Sequence, residues 1–199
     1  MTQVAGVVAL AALAMLVASL TYLHVAPTGL SPLRNAVSQY GISRYKAGYR
    51  VATIAFALAG AALAAGLASG SGSHEQAGFV VALLVVFTLA RALISWFPMD
   101  APGTRRTRTG ASHGLLASAA FLAISLAALR LGTVLHAGAR WHSFAPVSTA
   151  LGWAMIVTLL AMLAARSVPA LAARFGAIER CFYVLAIAWS VLFAVTCVS

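Results

Sequence analysis

The chain has 199 residues, of which 62% are apolar and only 8% charged, and its mean hydropathy is +0.97. A soluble domain carries about a quarter charged residues, so this chain has too little polar surface to stay dissolved, whereas its apolar content suffices for six helices of roughly 20 residues, the length that crosses a bilayer. The net charge of +10, from 13 Lys and Arg against 3 Asp and Glu, would suggest nucleic acid on a soluble protein; in a membrane protein basic residues gather in cytoplasmic loops, and no nucleic-acid partner is expected.

In chain order the apolar runs of spanning length are Val4 to Val25, Val51 to Ala68, Ala77 to Phe97, Ala111 to Leu131, Val147 to Ala165 and Ala177 to Val198, each bounded by charge, Gly or Pro. The expected fold is an all-α, six-transmembrane-helix bundle forming a single domain over residues 1–199. The first run lacks the positively charged start of a secretory signal and is longer than a signal's apolar core, so it reads as a retained helix.

The first loop is expected to carry a short interfacial helix from Pro32 to Tyr40. Ser31 suits an N-cap, Pro32 the first helical position, and Gly41 a left-handed stop. Leu33, Val37 and Tyr40 then share one face, placed in the headgroup layer with Tyr45 and Tyr49. In the second span Gly60 and Ala64, and Gly66 and Gly70, stand four apart, the spacing that lets helix backbones approach closely where lipid offers no hydrophobic drive. Cys181 and Cys197 are separated by about 24 Å of helix rise, too far for a disulfide.

Orientation follows from the basic residues. The first, third and fifth loops and their borders hold Arg34, Arg44, Lys46, Arg50, Arg105, Arg106, Arg108, Arg166, Arg174 and Arg180. Positive-inside counting puts these loops in the cytoplasm, with both termini outside, in the inner membrane.

Ionisable groups at or in a membrane need a partner, water or a function. Arg91 lies about 9 Å of helix rise before Phe97, near enough for its side chain to snorkel toward water, and it still needs an acceptor. Asp100 sits in Trp96-Phe97-Pro98-Met99-Asp100-Ala101-Pro102-Gly103, where two prolines and a glycine dictate an ordered turn. His113 opens the fourth span, and Glu179 with Arg180 the sixth. Ser38, Tyr40 and Arg50 fall at the same depth. In this cluster Asp100 is expected to anchor Arg91 or to orient His113, and Glu179 to sit in the favourable field of a helix N-terminus.

Four short segments carry a family likeness: Ser38-Gln39-Tyr40-Gly41, Phe97-Pro98-Met99-Asp100 with Pro102, Thr109-Gly110-Ala111-Ser112-His113-Gly114, and Gly176-Ala177-Ile178-Glu179-Arg180 with Trp189. In this order at helix borders they resemble the DUF998 family of bacterial and archaeal membrane proteins. The resemblance runs from the first loop to the last helix and implies a six-helix fold; it carries no settled activity.

Three functions remain open on the residues. The cluster binds a membrane lipid or other amphiphile, with Arg91, Glu179, Arg180, Ser38, Tyr40 and Arg50 as ligand-binding residues. Alternatively the chain is a lipid hydrolase or transferase with His113 as general base or acid and Asp100 orienting it, using Ser38, Ser112 or water as nucleophile. A small transporter subunit is the third, for which six helices without an internal repeat are few, a deficit that homo-oligomerisation would make up. No metal or other cofactor is expected: there is no His-x-x-x-His or His-Glu-x-x-His pair, and His24, His74, His136 and His142 are assigned to the opposite, outer ends, bordering loops instead of facing one another as haem ligands do.

Overall fold

A computed structural model describes residues 2–70, 75–134 and 144–198; His74, His136 and His142 lie outside the described residues. The helices are α1 (Thr2–Val25), α2 (Lys46–Gly70), α3 (Glu75–Leu93), α4 (Arg108–Val134), α5 (Phe144–Ala164), the single turn α6 (Pro169–Ala172) and α7 (Phe175–Val198). All but α6 contain a segment long and apolar enough to cross a membrane, so the chain is a six-helix, multi-pass membrane protein. The helical ends reach past the apolar runs, taking in Lys46 and Arg50 on α2 and Arg108 on α4, because polar residues extend a helix into the headgroup layer at no cost to its backbone hydrogen bonds.

Along the bundle α2 packs on α1 and α3, α4 on α3 and α5, and α7 on α1 and α5. Small residues set these seams. Gly60 faces Phe87 and Thr88 of α3, where a Cβ would stand 2.7 Å from the Phe87 ring. Its spacing therefore serves packing within the chain. Several polar side chains inside the bundle pair across helices. The Trp189 indole N–H donates to Ser148 Oγ at 2.8 Å, and Ser148 donates onward to the Ala128 carbonyl at 2.7 Å, linking α7, α5 and α4. Ser19 of α1 donates to the Gly48 carbonyl of α2 at 2.7 Å.

The first loop differs from expectation. Residues from Ser31 form a turn, in which the Ser31 carbonyl accepts from the N–H groups of Arg34 and Asn35, and the helix that follows is a 3-10 helix over Val37–Ile42. Val37 and Tyr40 are buried while Leu33 is 54% exposed, so the segment is pressed into the mouth of the bundle instead of floating at headgroup level. Gly41 does not take a left-handed conformation; among the described residues the positive φ values belong to Gly29 and Gly103. What Gly41 supplies is room, since a Cβ there would sit 2.8 Å from the ring of Tyr49.

The loop is seated directly on the start of α7. The Ala177 N–H, one of the unpaired donors of a helix's first turn, is satisfied by the Leu33 carbonyl at 3.0 Å. A Cβ on Gly176 would stand 2.5 Å from the Asn35 carbonyl oxygen and 2.6 Å from that of Pro32. Both are backbone atoms that cannot swing aside. Gly176→Ala is therefore expected to destabilise the protein by roughly 1–3 kcal/mol, the range for overpacking, measured as a lowered unfolding midpoint in detergent; an unchanged midpoint means the loop is not docked here.

Candidate functional site

The first, third and fifth loops meet at one end of the bundle, and the residues singled out in the sequence converge there in two groups. The first group is a scaffold. The Arg180 guanidinium donates through Nε to His24 Nε2 at 2.7 Å, through one terminal nitrogen to the carbonyls of Pro32, Asn35 and Gly176 at 2.7, 2.8 and 2.9 Å, and through the other to the Tyr40 hydroxyl at 3.3 Å. The planar fork thus spans α1, the first loop and α7. Next to it in sequence, Glu179 accepts the Val37 N–H at 2.6 Å, at the start of the 3-10 helix.

His24 corrects the assignment to the outer ends. It ends α1, so it belongs to the same end as Arg180, and its Nδ1 lies 2.6 Å from the Leu20 carbonyl. A carbonyl only accepts, which puts the proton on Nδ1 and leaves Nε2 as the acceptor for Arg180.

Arg91 does not snorkel. It is 2% exposed and its guanidinium carbon lies 5.6 Å from the centroid of Phe56 and 5.5 Å from that of Tyr183. Tyr183, Tyr49 and Glu179 are within electrostatic reach of it. Nε has no hydrogen-bond partner. Two aromatic faces take the place of bulk water around the charge.

Asp100 neither anchors Arg91 nor orients His113 by hydrogen bonding. Its carboxylate accepts from the N–H of Thr107 at 3.0 Å and from its hydroxyl at 2.6 Å, and Thr107 Oγ1 in turn accepts the Gly110 N–H at 3.0 Å. Thr107 is the N-cap of α4, bonding the third residue of the helix, and Asp100 braces the cap where the helix dipole favours an anion. A Cβ on Gly110 would collide with this carboxylate. The expected ordered turn lies between them: the Thr104 N–H bonds the Ala101 carbonyl at 3.1 Å, Pro102 follows Ala101, and Gly103 has φ 79°, the type II pattern. His113 is held instead by the Phe97 carbonyl, 2.8 Å from Nδ1.

The second group lines a cleft. Beneath the first loop, beside the contact of Phe121 of α4 with Phe182 of α7 at 4.4 Å between ring centroids, a space of about 400 Å³ opens between α4, α5 and α7. Ser38, Asp100, Arg106, His113, Arg166 and Glu179 contribute its polar lining, and Phe121, Leu159, Met162, Leu163 and Phe175 its apolar lining. The sequence did not single out the α5 residues or Arg166, which lie in apolar and basic runs with no distinguishing spacing. Ser38 also donates to Met99 Sδ at 3.1 Å. Arg180, Tyr40 and Arg50 do not line this cleft; Arg50 lies over the Trp96 ring at 5.0 Å.

The segments that carried the family likeness are thus the joints of this end of the bundle. A family model described as Protein of unknown function (DUF998) matches residues 7–196. The chain belongs to this family. No curated protein and no solved structure matches it. In this DUF998 protein the Phe97-Pro98-Met99-Asp100 motif positions His113 and caps α4, and Gly176 to Arg180 seats the first loop.

The Thr107 hydroxyl, and then its N–H, hold the Asp100 carboxyl below the usual carboxylate range. A depressed folded-state value means that the unfolded chain binds the proton more tightly, so this contribution is present above about pH 4, the unfolded value, and is lost as pH falls through the folded value. Asp100→Asn is expected to lower the unfolding midpoint at pH 7 and to flatten its decline on acidification. A variant whose acid limb matches the wild type overturns the brace.

Proposed function

We propose that this DUF998 protein binds a lipid or other amphiphile in the cleft between α4, α5 and α7, on the cytoplasmic side of the inner membrane with both termini outside. The observation that carries the reading is the cleft's two-part lining. A polar mouth with both signs of charge, from Asp100, Glu179, Arg106 and Arg166, adjoins an apolar wall of Leu159, Met162, Leu163 and Phe121, which is the complement of a headgroup joined to a chain. Leu163 is 45% exposed on the lipid-facing side of α5, a lateral route for a ligand that never leaves the membrane. The basic odd loops support the cytoplasmic placement.

Gly114 gives a clean test, because it lines the cleft and a Cβ on it meets nothing within 4 Å. Gly114→Leu is expected to fill part of the cavity, its Cβ meeting no neighbour. Mass spectrometry of lipids extracted from purified protein is expected to find a species enriched with the wild type and depleted at least about tenfold, or 1.4 kcal/mol, with the variant at an unchanged unfolding midpoint. Equal lipid profiles overturn the reading.

A second reading, lipid hydrolysis or transfer, is favoured by one feature of His113. The Phe97 carbonyl puts the ring proton on Nδ1, leaving the Nε2 lone pair as a base beside the cleft, with Ser38 or water as the nucleophile. His113→Gln is expected to keep the enriched lipid and to abolish its conversion during incubation with vesicles of the extracted lipids. Unchanged lipid composition with both proteins sinks the enzyme reading alone.

A further inference from the structure

The cations at the start of α2 take no part in the cleft just described, and they line one of their own. Between the end of the first-loop 3-10 helix, the first turn of α2 and the end of α3 lies a space of about 640 Å³, lined among others by Arg44, Lys46, Arg50, Ser95, Trp96 and Pro98. It shares no residue with the α4–α5–α7 cleft. Among the described residues no carboxylate lines it, so its three cations are not neutralised from within.

Two features go beyond what membrane orientation by itself requires. The Arg50 guanidinium is laid over the Trp96 ring at 5.0 Å and that of Arg44 over Tyr45 at 4.8 Å. Stacking uses the face of the guanidinium and leaves its N–H edge for an anion; Arg44 gives one terminal nitrogen to the Pro27 carbonyl at 3.3 Å and keeps its other donors. The hydroxyl of Ser95, moreover, is buried with no hydrogen-bond partner; that of Thr88, which faces Gly60 of α2, also lacks one, but only Ser95 of the two lines a space with cations. An orphaned donor costs free energy, and an oxyanion is the acceptor that suits its cationic neighbours. The depth is that of the headgroups: α2 begins at Lys46, and the 3-10 helix Ile94–Trp96 ends the third span. Trp96 and Ile42 are 54% and 40% exposed, giving apolar flanks beside the charge.

We propose that this cleft binds the phosphate of an anionic phospholipid, with Arg44, Lys46 and Arg50 supplying charge, the Ser95 hydroxyl a hydrogen bond, and Trp96 and Ile42 lying against the glycerol and the first acyl carbons. The site is separate from the proposed amphiphile cleft, and its occupant is selected by charge.

Native mass spectrometry of the protein in neutral detergent, titrated with dioctanoyl phosphatidate, dioctanoyl phosphatidylcholine or inorganic phosphate, tests this. Phosphatidate is expected to bind saturably and more tightly than the other two. Arg50→Gln should weaken it about tenfold, the loss of one charge-assisted hydrogen bond, and Ser95→Ala, which perturbs no packing, about threefold to tenfold. The double variant Arg105→Gln, Arg174→Gln removes more charge from exposed positions elsewhere at the same end and should change binding by less than about twofold. Gly114→Leu should leave phosphatidate binding intact, which separates failure here from failure of the amphiphile cleft. The proposal is overturned if the control double variant weakens binding as much as Arg50→Gln, if Ser95→Ala and Arg50→Gln both leave it unchanged, or if inorganic phosphate binds as tightly as the lipid.

Discussion

The arrangement on which this end of the molecule depends is the docking of the first loop onto α7 by two adjacent residues of opposite charge. A loop buried at the mouth of a membrane bundle brings peptide groups away from water, and each must find a partner. Glu179 and Arg180 divide that work by chemistry. The carboxylate accepts the N–H that opens the 3-10 helix, and the guanidinium donates to the carbonyls of Pro32 and Asn35 that precede it. A hydroxyl or amide at 180 has too few donors for the task, and Lys there lacks the fork that reaches three segments at once.

Once the loop is seated, the rest of the site follows. Its edge, at Ala36 and Ser38, forms one wall of the α4–α5–α7 cleft. Its far end, at Gly41 to Lys46, forms one wall of the cationic cleft. The third loop divides the two spaces in the same way, with Ser95, Trp96 and Pro98 facing one and Met99 and Asp100 the other. A single docked segment therefore shapes two cavities of different chemistry.

The spans were legible because hydropathy over some twenty residues is a bulk signal that no single contact overrides. The turn at Ala101 to Thr104 was legible because Pro102 and Gly103 restrict the backbone locally. What sequence reasoning missed was set by tertiary neighbours. Gly41 looked like a helix stop from its own φ freedom, but the constraint is the Tyr49 ring eight residues on. Asp100 looked like a partner for a distant cation or histidine, while its bonds go seven residues along the chain to a helix cap, a local signal that Thr107 followed by Gly110 at the third helical position already contained. His24 was misplaced by counting helix ends, though the end of the first span and the start of the sixth necessarily share a face.

Charge in this chain is scarce, and its use follows burial. Three buried ionisable residues have fixed neighbours: the Arg91 guanidinium lies against the rings of Phe56 and Tyr183, Glu179 accepts the Val37 N–H, and His113 Nδ1 is held by the Phe97 carbonyl. Desolvation makes any unpaired alternative expensive there. The exposed cations of the odd loops meet no such demand, since water and counterions satisfy them. Arg44, Lys46 and Arg50 are exposed but gathered around a concavity that also holds the unpartnered Ser95 hydroxyl, a grouping that membrane orientation does not require. An anion bound there would meet both features together, which sets the cationic cleft apart from the other basic loops of the same face.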